Sequence, residues 1–544
     1  MRRTAMTGLL FRRLGVSTIA TGFAAACATA QTAPRPESRS TPSLVVMITV
    51  DQMRADYFNR FERQLSGGLK RLRTGGAFFI NGYQDHAITE TAPGHASTLS
   101  GRLPVHTGIV MNSQGVNGVP DGQVLGGRPN ESASPARFRG TTLTDWMRAV
   151  NPATRWLSVS RKDRGAILPL GKNKGNVYWY ATNGDFTSST YYMDSLPPWV
   201  RAFNAQHLAQ GYAGKAWELL RPARDYPEPD SVGLEAATAG PDFVFPHVLP
   251  ADGPRATSAL QNVPFMDELT LRFALRGVTE LGLGTDPNRT DVLAVSLSTT
   301  DAVGHRYGPD SREIHDQILR LDQYLDTFLD SLQALRGEGK LLVALTGDHG
   351  MSPMPMLRST IYPNGDAKRV SIEAPWRAFL HRLDILDIDT TAVVFEEGMV
   401  VVTKPGAFGT GAKSADALLA GFGADLMRVQ GVLRADLMTD LAKADTVRDA
   451  IARRWLHMVA PNSNVRMTVS LTPYSYWLSA TFPTHGSPHD SDANVPVLFW
   501  GAGVKPGQYS DVVRVVDIAP TLAAILGVKP MEPLDGRVLT PVVR

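Results

Sequence analysis

The sequence lacks several features that would place it in a special class of protein. A single cysteine, Cys27, occurs in 544 residues, which excludes an internal disulfide bond. The formal net charge is only +3 and no dense stripe of lysine and arginine occurs, which argues against nucleic acid as a partner. No apolar run is long enough to cross a membrane as a helix. A hydrophobic content of 43% and a charged content of 20% instead indicate a globular protein with a large core.

Residues 1–30 differ in kind from the rest of the chain. Arginine pairs at positions 2–3 and 12–13 precede a small, apolar run that closes in Ala-Thr-Ala. This order predicts a secretory signal peptide over 1–30, followed by a flexible lead-in over 31–43 that is rich in Pro, Ser and Thr. We therefore expect a periplasmic or secreted bacterial protein. Cys27 ends the apolar run, which leaves a lipid anchor open, although a residue of a discarded peptide is the simpler interpretation.

Short apolar runs have the length and composition of buried strands in a parallel sheet, and they cover 44–50, 291–298, 341–346 and 495–500. An amphipathic stripe from Ile314 to Leu335, stopped by Gly337, predicts a helix between the second and third runs. Strand, helix and strand then follow one another as in a crossover unit of a parallel sheet. The pattern predicts an α/β fold whose mostly parallel central sheet is flanked by helices on both faces.

Two stretches, at about 180–255 and 355–480, interrupt this alternation. They carry Tyr, Trp, Pro and charge without clear sheet order. We interpret both as insertions that shape the entrance of the active site, within a single domain that covers 44–544.

The strongest chemical signal is a set of metal-type ligands, three aspartates and three histidines, in four short segments: Asp51, Asp301 with His305, Asp348 with His349, and His485. Three of these segments directly follow a predicted strand, and ligands gather at the carboxyl ends of parallel strands. Six nitrogen and oxygen ligands suit two divalent ions held side by side, as in phosphoryl transfer. Mixed histidine and carboxylate ligation favours zinc, with manganese as the main competitor.

A hydroxyl nucleophile is predicted close to these motifs. Thr91 precedes Pro93, which suits the first turn of a helix, and a helix N-terminus offers free N–H groups to a phosphate. A metal-ionised Thr91 hydroxyl could attack phosphorus and form a phospho-enzyme. Thr89 is the second candidate for this role, and either threonine could instead be a simple helix cap.

Two cations follow another apolar run at Lys162 and Arg164. Strand alternation predicts that both side chains lie on one face and Asp163 on the other. Such a pair can neutralise a phosphate dianion, since arginine grips two oxygens at once. A solvated charge cluster is the competing interpretation.

Together these motifs resemble the alkaline phosphatase superfamily, from about residue 45 to the end of the chain. Within it they are most similar to the bacterial alkaline phosphatases with a threonine nucleophile, which are related to the nucleotide pyrophosphatase/phosphodiesterases. The resemblance implies one zinc held by Asp301, His305 and His485, and a second held by Asp51, Asp348 and His349. It also implies that Thr91 is the nucleophile and that the phosphoryl group is contacted by Asn112, Lys162 and Arg164.

We therefore predict a secreted di-zinc alkaline phosphatase that hydrolyses small phosphate monoesters through a phospho-threonine intermediate. The Lys162–Arg164 pair favours this activity, because the resemblance implies that diesterase relatives lack it. A phosphodiesterase or nucleotide pyrophosphatase of the same superfamily is the alternative. An exported binding protein that keeps a zinc site for stability is a hypothesis from another class, and the retained nucleophile argues against it.

Overall fold

The computed structural model describes residues 41–230, 243–355 and 367–544. The predicted signal peptide, Cys27 and most of the predicted lead-in lie outside these ranges. Among the described residues, no helix combines the length and the hydropathy that crossing a membrane requires.

Runs rich in valine, leucine and isoleucine form the long strands, and short pairings at loop ends form the rest. In chain order the strands of the described residues are β1 (Leu44–Val50), β2 (Ala77–Tyr83), β3 (Trp156–Ser160), β4 (Asn176–Tyr180), β5 (Phe186–Thr187), β6 (Ala216–Trp217), β7 (His247–Val248), β8 (Asp291–Leu297), β9 (Leu341–Gly347), β10 (Arg369–Val370), β11 (Val393–Glu396), β12 (Met399–Val402), β13 (Val432–Leu437), β14 (Val465–Leu471), β15 (Tyr476–Trp477), β16 (Asn494–Gly501), β17 (Gly507–Tyr509) and β18 (Val513–Arg514).

The central sheet has the strand order β17-β2-β16-β9-β1-β8-β3-β4-β5, and β18 also pairs with β2. Strands β9, β1, β8, β3 and β4 run parallel to one another. Every residue of β1, β8 and β9 is buried, as expected for parallel strands covered on both faces. The predicted α/β fold with a mostly parallel sheet is confirmed. The fourth predicted strand differs in direction, because β16 runs antiparallel to both of its neighbours.

Helices connect and cover these strands. In the described residues they cover Tyr57–Arg60, Gly68–Gly75, Thr91–Thr98, Pro104–Thr107, Leu143–Val150, Asp163–Ile167, Pro198–Asn204, Gly253–Ala259, Phe265–Glu280, Thr299–Tyr307, Arg312–Arg336, Glu373–Ile385, Ala415–Leu426, Met438–Leu441, Ala450–Met458, Asp490–Ala493 and Ile518–Leu526. Successive residues of β1 point to opposite faces of the sheet. Ile48 packs in a cluster with the helix Arg312–Arg336, and Met47 packs in another with the helix Ile518–Leu526.

The predicted amphipathic helix is present with the predicted end signals. It begins after Ser311, whose hydroxyl accepts a hydrogen bond from the backbone N–H of Ile314 at 3.2 Å, and it ends at Gly337, whose φ is 97°. The predicted stripe is buried except for Leu335, which is 41% exposed. The core therefore ends one turn before the helix does.

A second sheet lies within the stretch that we interpret as an insertion at 355–480. Its order is β11-β12-β14-β13, all antiparallel, and the helices Glu373–Ile385 and Ala415–Leu426 supply side chains to its own apolar core. The sequence pattern did not predict this sheet, because most of its strands are short and partly exposed. Within the described part of the other stretch, 180–255, the two-stranded pair β6-β7 and short helices occur.

Candidate active site

The register of the central sheet brings the metal-type ligands to one edge. Val50 lies opposite Leu297 on one side and Gly347 on the other, so the three strands end level. Asp51 follows β1 directly and Asp348 follows β9 directly. The helix Thr299–Tyr307 starts two residues after β8 and carries Asp301 in its first turn and His305 one turn later.

The sixth ligand comes from a distant part of the chain. His485 lies in the loop between β15 and β16, and its ring stacks on that of His349 with centroids 3.6 Å apart. The ring centroids of His485 and His305 are 5.0 Å apart. The loop therefore closes the cluster that the sheet edge begins.

The ligand atoms form two adjacent groups. In the first, Asp301, His305 and His485 offer atoms within 4.8 Å of one another. These are the three residues that the resemblance implies for one zinc. In the second, Asp51, Asp301 and His349 do the same. Asp348, which the resemblance implies for the second zinc, lies beside this group with its Oδ2 3.7 Å from Nε2 of His349. Asp301 therefore belongs to both groups.

All three histidines present the same nitrogen to the cluster. The other nitrogen, Nδ1, lies close to a backbone carbonyl oxygen in each ring. Nδ1 of His305 is 2.7 Å from the oxygen of Pro483, Nδ1 of His349 is 2.9 Å from that of Gly350, and Nδ1 of His485 is 2.7 Å from that of Thr89. A carbonyl oxygen can only accept, so Nδ1 carries the proton in each ring. Nε2 is then left with a lone pair for a metal, and the carbonyl fixes the orientation of the ring.

Several buried polar atoms in this cluster fit a metal centre. Oδ1 of Asp51, Oδ2 of Asp348 and Nε2 of His349 are buried and make no hydrogen bond with any described residue. Such atoms are costly unless a ligand satisfies them. Burial acts to lower the pKa of His349, but Asp348 and Asp51 raise it to about 9, so Nε2 of this ring binds a proton near neutral pH unless a metal ion takes its place. The site is therefore strongly negative, and its donors suit divalent cations such as zinc.

Thr91 is linked to both groups of ligands through Lys162. It is the first residue of the helix Thr91–Thr98, and its Oγ1 is 3.3 Å from Nζ of Lys162. The same Nζ lies 2.6 Å from Oδ2 of Asp51 and 2.6 Å from Oδ2 of Asp301. A β-carbon on Gly94 would come within 2.2 Å of the carbonyl oxygen of Asp348. Glycine at this position therefore lets the helix that carries Thr91 pack closely on the loop after β9.

Thr89, the second candidate nucleophile, faces other groups. Its hydroxyl donates to the carbonyl oxygen of Ser487 at 3.1 Å, and its own carbonyl orients His485. Its contacts are those of a residue that positions a ligand.

Asn112 is held against the start of the helix Thr91–Thr98. Its Oδ1 accepts a hydrogen bond from the backbone N–H of Ala92 at 2.9 Å, and its own N–H donates to Oε2 of Glu90 at 2.6 Å. With Oδ1 engaged, the Nδ2 amide is the part of the side chain that can donate to a phosphate oxygen.

The prediction that strand alternation places the side chains of Lys162 and Arg164 on one face is wrong. Strand β3 ends at Ser160, and Asp163–Ile167 form a short helix, so the period of a strand does not apply here. Within the described ranges, Lys162 forms ion pairs with Asp51 and Asp301, whereas Arg164 pairs with its neighbour Asp163 at 3.8 Å.

Comparison with known proteins identifies the family. Residues 45–403 match the model of the type I phosphodiesterase/nucleotide pyrophosphatase family. Alkaline phosphatase PhoV of Synechococcus elongatus is 34% identical over 535 residues, which are 94% of each chain. The chain belongs to this family.

A second relative and a crystal structure support the same assignment. Alkaline phosphatase PafA of Elizabethkingia meningoseptica is 30% identical, over 92% of this chain and 94% of the relative. The crystal structure of wild-type PafA superimposes with a TM-score of 0.82 at 26% identity and covers 93% of this chain and 99% of that one. The prediction that this chain is an enzyme of the alkaline phosphatase superfamily is confirmed.

The sequence patterns did not predict one residue of the candidate site, Gln52. Gln52 is fully buried and has a φ of 66°, which is unusual for a residue with a side chain. Its backbone N–H donates to Oδ1 of Asp348 at 2.9 Å, and its Nε2 donates to Oδ1 of Asp301 at 3.0 Å. Gln52 thus links two predicted ligands, one in the loop after β9 and one on the helix Thr299–Tyr307. Its position directly after Asp51 was the one available signal.

Proposed function

We propose that this chain is an exported phosphatase that hydrolyses phosphate monoesters through a phospho-threonine intermediate at Thr91, with two zinc ions bound by the six predicted ligands. The alkaline phosphatases among its relatives support phosphatase activity. The single observation that carries the proposal is the position of the Lys162 ammonium, 2.6 Å from the Asp51 and Asp301 carboxylates and 3.3 Å from the Thr91 hydroxyl. Export rests on the arginine pairs and apolar run of residues 1–30.

The two ligand groups account for the metals. Asp301, His305 and His485 would hold one ion, while Asp51, Asp348 and His349 would hold the other. Two such ions would lower the pKa of the nucleophilic hydroxyl and of water, and they would stabilise the charge on the leaving oxygen.

The residues of the chain account for the remaining chemistry. In the first step the Thr91 oxygen attacks phosphorus, the bond to the ester oxygen breaks, and the alcohol leaves with a proton. In the second step the oxygen of a water molecule attacks phosphorus, which regenerates the Thr91 hydroxyl and releases phosphate. Asn112, Lys162 and Arg164 would hold the phosphoryl oxygens and stabilise the charge that develops on them.

The alternative is a phosphodiesterase, which the description of the matching family favours. Charge decides between the two. A monoester carries two negative charges on its phosphoryl group, whereas a diester carries one and a second substituent that needs room. A lysine ammonium directly beside the nucleophile favours the more highly charged substrate.

Comparative kinetics on one purified sample test the proposal. We expect kcat/KM for an aryl phosphate monoester to exceed that for the matched diester, and metal analysis to find two zinc ions per chain. A preference for the diester would replace this proposal by the phosphodiesterase. No turnover of either ester by zinc-loaded protein would favour the binding protein.

A further inference from the structure

Two segments from distant parts of the chain meet in the candidate site. Segment 84–90 leads from β2 into the helix that begins at Thr91, and segment 485–490 begins at the predicted ligand His485. The carbonyl oxygen of Thr89 accepts a hydrogen bond from Nδ1 of His485 at 2.7 Å, and the Thr89 hydroxyl donates to a backbone carbonyl of the other segment at 3.1 Å. These hydrogen bonds connect a predicted metal ligand to the chain that leads to the predicted nucleophile.

A helix of the insertion at 355–480 packs on segment 84–90. Side chains of the helix Ala450–Met458 and of the segment share one buried apolar cluster, to which they contribute Ala452, Trp455, Met458, Ala87 and Ile88. Buried side chains that pack closely resist movement relative to one another. The helix is therefore a firm support beside this segment.

Arg454, on the same helix, contacts both segments at once. Its side chain is 4% exposed, and its Nε lies 3.4 Å from Oδ1 of Asp85. Nη1 donates to the carbonyl oxygen of Pro488 at 2.7 Å, and Nη2 donates to Oδ1 of Asp490 at 2.7 Å. The planar guanidinium thus spans the two segments with three nitrogens whose relative positions are fixed.

Asp85 does not depend on Arg454 for a partner. Three further cationic groups lie within 3.3 Å of its Oδ2, and they belong to Arg453, His457 and Arg514. Burial acts to raise the pKa of Asp85, but His457 and Arg453 lower it below its ordinary value, so the carboxylate stays ionised. Loss of Arg454 would therefore leave Asp85 paired, and what distinguishes Arg454 is its link to the other segment.

We propose that Arg454 is a positioning residue for the predicted ligand His485. It holds segment 485–490 against segment 84–90, so that the imidazole keeps its place relative to Thr91. The insertion thereby contributes to the site itself. The effect of Arg454 on zinc rests on the proposed function, whereas its link between the segments requires neither metal nor turnover.

The test compares Arg454→Lys with Arg453→Lys. Both variants keep a positive charge beside Asp85, but a single ammonium cannot contact both segments as the arginine fork does. Arg453 is the matched control, because its Nη1 donates to the carbonyl oxygen of Thr446 at 2.8 Å, within the insertion. Hydrogen exchange measured by mass spectrometry should be about ten-fold faster for residues 485–493 in Arg454→Lys, since a charge-assisted hydrogen bond is lost, and unchanged in Arg453→Lys.

A second variant removes one of the same contacts from the other side. The Asp490 carboxylate is 68% exposed, so Asp490→Ala should fold even if a change at Arg454 does not. It should speed exchange of the same residues about two- to five-fold, as loss of an exposed ion pair does. Wild-type exchange in both the Arg454→Lys and Asp490→Ala variants, or an equal increase in Arg453→Lys, overturns the inference.

Zinc affinity, measured by competition with a chelator, separates positioning from a merely structural role. In Arg454→Lys one of the two zinc ions should bind about ten-fold more weakly, as after loss of a residue that orients a ligand, and in Arg453→Lys both should bind as in the wild type. Faster exchange with unchanged affinity for both ions would overturn the positioning role. A wild type that binds no zinc and hydrolyses no ester contradicts the proposed function, and the exchange measurement still decides the inference.

Discussion

At the scale of single residues, Lys162 connects the predicted metal ligands with the predicted nucleophile, Thr91. Its ammonium contacts carboxylates from both ligand groups and the Thr91 hydroxyl at once. A phosphate dianion at this place would meet a positive charge on the side of the nucleophile, in addition to the metal ions. Arg164 lies two residues further on, at the start of a short helix, and can supply a second cation.

The substitution Lys162→Ala with Arg164→Ala tests this role. Each charge-assisted contact contributes roughly 1.5–3 kcal/mol, so loss of both should lower monoester kcat/KM by roughly two to four powers of ten. Diester hydrolysis should fall far less, because its phosphoryl group carries one charge. Steady-state kinetics on matched aryl mono- and diesters measure both effects. Equal losses on the two esters would mean that the pair has a structural role.

The hydrogen bonds of Gln52 lead to a second prediction, which concerns metal affinity. Its contacts to Asp348 and Asp301 orient ligands of both groups, and outer-shell partners of this kind typically contribute 10–100-fold to metal affinity. We therefore expect Gln52→Ala to weaken zinc binding by about this factor, as measured by competition with a chelator.

Gln508→Ala is the matched control, because Gln508 is exposed and its amide bonds only to the backbone of Arg73 among the described residues. It should leave zinc affinity unchanged. Wild-type affinity in Gln52→Ala would mean that the ligands hold their positions without it.

At the scale of elements, the helix Thr91–Thr98 depends on its contact with the loop after β9. The contact requires glycine at position 94, where a β-carbon would lie 2.2 Å from the carbonyl oxygen of Asp348. Gly94→Ala should therefore lower the free energy of unfolding by about 1–3 kcal/mol, as overpacking does. It should also reduce kcat, because the helix that carries Thr91 must move away from the ligands. Urea denaturation and steady-state kinetics measure the two effects.

Gly406→Ala is the control for this substitution, since among the described residues only its own chain neighbours come within 4 Å of the β-carbon that it would add. Both its stability and its activity should stay close to the wild type. If Gly94→Ala behaves in the same way, the close packing of the helix on the loop is contradicted.

The sequence predicted elements best where one signal dominated. Continuous apolar runs identify β1, β8 and β9, and the ligands that follow two of them directly meet because the strands end level. The same runs carry no information on direction, so the antiparallel β16 was not predicted. The chain after Ser160 turns into a helix within three residues, which a period-two pattern cannot anticipate. Gln52 was missed because its role depends on contacts to residues 249 and 296 positions away.

At the scale of the whole molecule, the two predicted metal ions would connect distant parts of the chain. Their predicted ligands extend from β1 to the loop before β16, so metal binding should stabilise the entire described unit. Ligand binding to the native state alone adds about 2.7 kcal/mol at a hundred times Kd. Removal of zinc by chelation should therefore abolish activity and lower Tm, and added zinc should restore both.

Elemental analysis and thermal denaturation of the same sample check this prediction. The expected result is two ions per chain at full activity. Full activity with one ion or none, or an unchanged Tm after complete removal of the metal, would contradict a binuclear centre.

The most direct test of the central claim is the site of phosphate attachment during turnover. Enzyme mixed with a phosphate monoester is quenched in acid, digested and mapped by mass spectrometry. We predict a phosphorylated peptide with the phosphate on Thr91, and its loss in Thr91→Ala. This variant should keep its zinc and its fold, because Glu90 and not Thr91 is the N-cap and the lost hydroxyl makes no capping bond. Phosphate on Thr89, or on no residue of an active enzyme, would contradict the account.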